Sequence, residues 1–180
     1  MTITVNENIS LQLIEEHHAE QIFNLVHHNR THLREWLPFV DSMQSVEFAQ
    51  GFVKATMLRN KQGDEFAFVI MENKQAIGRI GVYKIDPGNK IGEIGYWIVE
   101  NKQGKGIITD SCKALIDFCF DELLLNRIEI KCAVGNNKSK AIPEKLHFQH
   151  EGIIRQGEWV HDKFIDLHLY SMLKLNAIRL

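Results

Sequence analysis

The sequence predicts one α/β domain of the α+β kind, with a single mixed, mostly antiparallel sheet flanked by helices. Three observations predict it. Short apolar segments rich in β-branched and aromatic residues follow one another between tight-turn signals, as in an antiparallel meander. A strand at Gly92–Val99 then runs through a glycine-rich turn into a helix, where the apolar period changes from two to that of a helix. After that helix come a strand, a short helix and a final strand pair. The 180 residues, 44% hydrophobic and 24% charged, suit one globular domain spanning 1–180 with a real core.

In order, Ile9, Leu11 and Leu13 alternate with polar residues, so a first strand is expected near 9–14. Ala19, Ile22, Leu25 and Val26 give a core-facing helix. The stretch 31–41 breaks the pattern with aromatics and Pro38 and reads as a loop or helical turn. Within it Trp36 and Phe39 are expected to plug the core rather than line a pocket. Val46, Ala49, Val53 and Met57 mark a second helix near 45–60, N-capped by Ser45 or Ser42. Strands follow at 66–70 and 76–85, joined by a hairpin turn in 72–75, and Asp86-Pro87-Gly88-Asn89 is a further turn. In the central strand Ile94, Tyr96 and Ile98 share one face and Trp97 and Val99 the other. Ile108, Cys112, Leu115, Ile116 and Cys119 form one helical stripe. The chain then predicts a strand at 127–134, a helix near 138–146, and antiparallel strands near 148–156 and 164–174.

The net charge of −2 argues against a nucleic-acid partner, and the absence of a long apolar run or a basic leader argues against a membrane; a cytoplasmic protein is expected. Three cysteines with no Cys-x-x-Cys argue against disulfides and thiolate metal sites, so buried core thiols and no metal are expected. His17-His18 and His27-His28 read as partly exposed helix residues. Adjacent helix positions point about 100° apart and make no clean two-ligand face.

The turn carries the first chemical signal. A glycine-rich turn feeding a helix offers unpaired amides and the positive end of the dipole to an anion. Gly104-Lys105-Gly106 lacks the Walker pattern, and Thr109 stands where a dinucleotide fingerprint has its third glycine. What remains is Gln-x-x-Gly-x-small, in Gln103-Gly104-Lys105-Gly106-Ile107-Ile108. This resembles the pyrophosphate-binding motif of the GNAT N-acetyltransferases, Arg/Gln-x-x-Gly-x-Gly/Ala, with Ile108 in the small place. On these six residues alone, a surface turn that caps a core helix is the favoured reading.

Two further segments extend the resemblance to RimL-type ribosomal-protein N-acetyltransferases within that family. Asn136-Asn137-Lys138-Ser139, then Glu144-Lys145-Leu146-His147-Phe148 and Glu151-Gly152, is similar to the pattern Asn-x-x-Ser, Glu-Lys-Leu-Gly-Phe, Glu-Gly. Gly157-Glu158-Trp159 and Asp166-Leu167-His168-Leu169-Tyr170-Ser171 match the C-terminal part, and Trp36-Leu37-Pro38 the N-terminal part. His147 replaces a glycine at a helix end, which predicts strain or an altered turn. Pro143 lies within the same short helix and removes one helical N–H unless it sits in the first turn.

The resemblance implies a single GNAT-type domain that transfers acetyl from acetyl-CoA to an amine, with homodimerisation expected. Amides from Gln103 through Gly104, Lys105, Gly106, Ile107, Ile108 and Thr109 would hold the pyrophosphate, with positive charge from Lys102 and Lys105. The pantetheine arm would pair along Trp97, Ile98 and Val99 and hydrogen-bond Asn136, and Lys145 joins the cofactor-binding set. Glu158 is implied as the base, directly or through water, and Ser139 as the acid for the departing thiolate. Read as plain residues, Glu158 is a surface carboxylate and Ser139 a helix N-cap. The implied acceptor is the N-terminal amine of a serine on a ribosomal stalk protein. A polyamine or antibiotic amine, or a CoA-binding sensor without catalysis, are the alternatives.

Overall fold

The computed structural model describes residues 1–177. Eight strands form one sheet in the order β1-β2-β3-β4-β5-β6-β8-β7. They are β1 (Thr2–Thr4), β2 (Ile9–Leu13), β3 (Phe66–Glu72), β4 (Gln75–Asp86), β5 (Ile91–Ile98), β6 (Arg127–Ala133), β7 (Gln149–Val160) and β8 (Lys163–Leu173). Every neighbouring pair is antiparallel except β5 and β6. The short edge strand β1 was not anticipated. Its three residues are too few to show an alternation, and they pair with β2 only through main-chain register.

The alternation of β3 explains how the core divides. Phe68 and Ile70 point into one apolar cluster, and Ala67, Val69 and Met71 into the other, so β3 is buried on both faces and reads as an unbroken apolar run. Helices α1 (Ala19–His28) and α3 (Val46–Gln62) cover one face through Ile22, Val26, Ala49 and Val53. Helix α4 (Ile107–Asp121) covers the other through Cys112, Leu115, Ile116 and Cys119. The predicted stripe of α4 is thus its buried face. Ser45 caps α3, its Oγ accepting from the Phe48 amide at 3.2 Å, and Gly63 ends it at φ +81°. The β3–β4 hairpin turns on Asn73 and Lys74, both at positive φ (47° and 68°), as a two-residue primed turn requires.

Several expectations need correction. Val99 lies just past β5 and packs with Ile98 in the α4-side cluster, not opposite it with Trp97, because strand alternation has ended there. His18 is buried rather than partly exposed: its Nδ1 accepts from the Glu15 amide at 3.0 Å in a capping box, and its Nε2 faces Gln12 Oε1 at 3.3 Å. Burial, with His17 beside it, lowers its pKa and favours the neutral ring these contacts need. Trp36 is half-buried, and Phe39 stacks on Phe52 at 6.5 Å and lies tilted 6.4 Å from Trp97, so Phe39 does join the core as expected. The three cysteines are free and buried, as predicted. No helix among the described residues is long and apolar enough to cross a membrane.

Candidate functional site

The site begins where the sheet forks. β5 and β6 pair in parallel only over Ile91–Ile94 and Arg127–Ile130. Beyond that, Gly95–Ile98 pair with β4 alone and Lys131–Ala133 with β8 alone. The Val99 amide donates to Ile77 O at 3.0 Å, which fixes the alternation: Trp97 and Gly95 turn their amides to β4, and Ile98 and Tyr96 turn theirs into the fork. A Cβ on Gly78 would stand 2.4 Å from the Trp97 carbonyl oxygen, so glycine is what lets β5 lie tight on β4 as it leaves β6.

The turn after β5 is built from backbone. Gly104 and Gly106 hold φ +72° and +78°, and Gly106 is the N-cap of α4 with no side chain capping it. Amides from Gly104 to Thr109 find no acceptor among the described residues, so a run of donors is left unpaired at the positive end of a fifteen-residue helix. Gln103 does not point outward. Its Oε1 accepts from Lys138 at 2.8 Å and its Nε2 lies 2.7 Å from His32 Nε2, tying the turn to α5 (Asn137–Lys145) and to α2 (Arg30–Arg34). Lys102 is taken by an ion pair with Glu72, which corrects the reading of it as charge for a phosphate; Lys105 is exposed. These features fit acetyl-CoA: an uncapped donor run suits a pyrophosphate, and free strand amides in the fork suit the amide-rich pantetheine arm.

Helix α5 supplies the second group. Asn136, not Ser139, is its N-cap, with Oδ1 accepting from the Ser139 amide at 3.1 Å. The correction follows from position: Ser139 is the third helical residue, where the amide, not the hydroxyl, meets the cap. The cap uses only the oxygen of Asn136 and leaves its two N–H donors available. The Tyr96 hydroxyl donates to the Ser139 carbonyl at 3.1 Å, and Ser139 Oγ lies 3.5 Å from the same hydroxyl. Lys145 is exposed at the far end of α5 and forms no hydrogen bond or ion pair with the other candidates.

Glu158 comes from a distorted strand. The β7–β8 register shifts between Ile154 and Glu158, with Gln156 at φ +50° and its amide held by Asp166 Oδ1 at 2.8 Å. Glu158 is half-buried, and burial, then the charge of Glu93, pushes its pKa up, while Lys84 opposes. Burial alone would raise Glu93 as well, but Lys131 at 2.8 Å and Lys84 at 3.1 Å outweigh it and hold Glu93 down as a carboxylate. The hairpin tip is anchored by His161, whose Nε2 is 2.6 Å from the Arg34 carbonyl and whose Nδ1 is 3.1 Å from Asp41. Beside Glu158, Trp159 and Phe164 form an exposed edge-to-face pair at 4.6 Å.

The structure therefore joins Asn136 and Ser139 to the central strand, and Gln103 to the helix that carries Ser139. It brings Glu158 within electrostatic reach of Glu93. Glu93 and His32 were missed as neighbours of the candidate groups, and for Tyr96 it was the contact with Ser139 that was missed. Pro143 held one usable signal, since a missing helical N–H needs a substitute partner for the carbonyl it abandons.

The family model described as an acetyltransferase (GNAT) domain matches residues 8–149. YdaF of Bacillus subtilis is 36% identical over 96% of this chain and 95% of its own. The ribosomal-protein-serine acetyltransferase of Escherichia coli is 33% identical, with 96% of each chain covered. The structure of RimL, a ribosomal α-N-protein acetyltransferase, in complex with coenzyme A superposes with a TM-score of 0.93 at 28% identity, over 96% of this chain and 98% of that one. With the forked sheet, the donor run and the matched sequence together, the chain belongs to the GNAT family of N-acetyltransferases.

Proposed function

We propose that the protein moves an acetyl group from acetyl-CoA to the N-terminal α-amino group of a ribosomal protein, by direct attack within a ternary complex. The observation that carries this reading is the arrangement at the fork, where β5 leaves β6 with amides unpaired and its Tyr96 hydroxyl lies 3.5 Å from Ser139 Oγ. The serine-directed relative supports an N-terminal serine as acceptor. The amides of residues 104–109 bind the pyrophosphate, and the Ile98 amide donates to the thioester oxygen as negative charge develops there. Glu158 takes the proton of the attacking amine, directly or through one water. A peptide α-amine has a pKa of about 7.7–8.0, against about 10.4 for lysine, so a carboxylate raised by burial is an adequate base. Ser139 donates to the sulfur as the C–S bond breaks, and the thiol leaves.

All three thiols are buried, and burial raises the pKa of each, which favours direct transfer over an acyl-cysteine route. The test is thiol release from acetyl-CoA with a peptide bearing a free N-terminal serine, beside the same peptide N-blocked and carrying a lysine. Turnover on the free terminus alone is expected. Turnover on the lysine peptide instead, or on neither while small polyamines react, contradicts the N-terminal acceptor.

A further inference from the structure

Helix α5 contains a defect that the chain repairs from a distance. Pro143 lies inside the helix and has no N–H, and the carbonyl it would have bonded, four residues back, is that of Ser139. That carbonyl belongs to the residue whose hydroxyl sits at the fork. It is not left without a partner, because the Tyr96 hydroxyl reaches it at 3.1 Å from β5, 43 residues away in sequence. The same phenolic oxygen lies 3.5 Å from Ser139 Oγ and can accept its proton when no substrate is present. Tyr96 packs against the α4-side core, and burial pushes its phenol well above the usual value, so it stays a neutral donor.

We infer that Tyr96 is a positioning residue for Ser139, replacing through its hydroxyl the helix hydrogen bond that Pro143 removes. The Tyr96 bond fixes Ser139 from both ends: Asn136 holds its amide at 3.1 Å and Tyr96 its carbonyl. It also links the strand along which the pantetheine arm is proposed to run to the helix carrying the proton donor. The inference rests on the reading of Ser139 as the acid, and its test separates the two.

The experiment measures kcat and the acetyl-CoA KM for Tyr96→Phe, Pro143→Ala, the double variant and Ser139→Ala, with thermal unfolding alongside. Tyr96→Phe is expected to lower kcat about fivefold to tenfold, the effect of one lost buried hydrogen bond, with the acetyl-CoA KM unchanged. Pro143→Ala restores an N–H beneath the Ser139 carbonyl, so in that background Tyr96→Phe is expected to cost less than about twofold. An equal loss in both backgrounds, a loss confined to KM, or a lowered unfolding temperature with kcat intact overturns the positioning role. Ser139→Ala at the wild-type rate overturns the acid assignment itself. Slow Ser139→Ala beside unimpaired Tyr96→Phe overturns only the inference.

Discussion

The two halves of the site are made of different material. The proposed cofactor half lies in one contiguous stretch, and its donors are main-chain amides, that of Ile98 and those of residues 104–109. The proposed reacting half is assembled from β5, α5 and the β7–β8 hairpin, and its groups are side chains whose setting comes from distant elements: the Tyr96 hydroxyl bonds the Ser139 carbonyl, Lys131 and Lys84 pair with Glu93, and Glu158 feels the charge of Glu93. A backbone site depends on conformation and tolerates many side chains. A side-chain site depends on identity and on supports that lie far apart in sequence. Binding and chemistry should therefore fail separately.

The largest separation is expected from Glu158→Gln, which removes the proposed base and keeps the shape. It should lower kcat by about 10²–10⁴-fold with the acetyl-CoA KM nearly unchanged. Its pH profile sharpens the point: Glu158 must be ionised to act, so kcat/KM in the wild type rises with pH through a carboxyl ionisation displaced upward from its ordinary range, and Glu158→Gln loses that limb. Ser139→Ala should cost about 10-fold to 100-fold in kcat, again with little effect on acetyl-CoA binding. The opposite pattern belongs to Gly106→Val, where φ +78° penalises a β-branched residue: the acetyl-CoA KM should rise about tenfold, with the rate at saturation largely kept. The smallest effect lies outside both halves. Arg127 and Ser171 hold Glu151 down to about 2, so its ionic contribution to stability is full above the ordinary 4.5 and disappears as pH falls towards 2. Because Glu151 is exposed, Glu151→Gln should destabilise by less than about 1 kcal/mol at neutral pH, an effect that shrinks in salt and in acid.

The same division decides what the sequence could reveal. The strand, the Gly104 and Gly106 turn and the Cys112, Leu115 and Ile116 stripe are local, and their periods state the structure directly. His147 was legible for the same reason: it stands at φ 58° where a glycine was expected. The family resemblance singled out Ser139 and Glu158, but not what supports them. Pro143 announced that a bond was missing, and nothing local could reveal that Tyr96 replaces it. The cap at α5 was assigned to Ser139 instead of Asn136 because both residue types favour that position, and only the helix start separates them. Lys102 could not be told from Lys105 by sequence, since its partner Glu72 arrives from the end of β3.

The central claim, that backbone binds and side chains react, is tested most directly by single-turnover acetyl transfer from increasing acetyl-CoA to an N-terminal-serine peptide, using the Ser139→Ala/Glu158→Gln double variant. The account predicts half-saturation at the wild-type acetyl-CoA concentration within about threefold, and a plateau rate lower by at least about 10³-fold. A half-saturation point that moves as far as the rate falls, or a plateau left at the wild-type value, would contradict it.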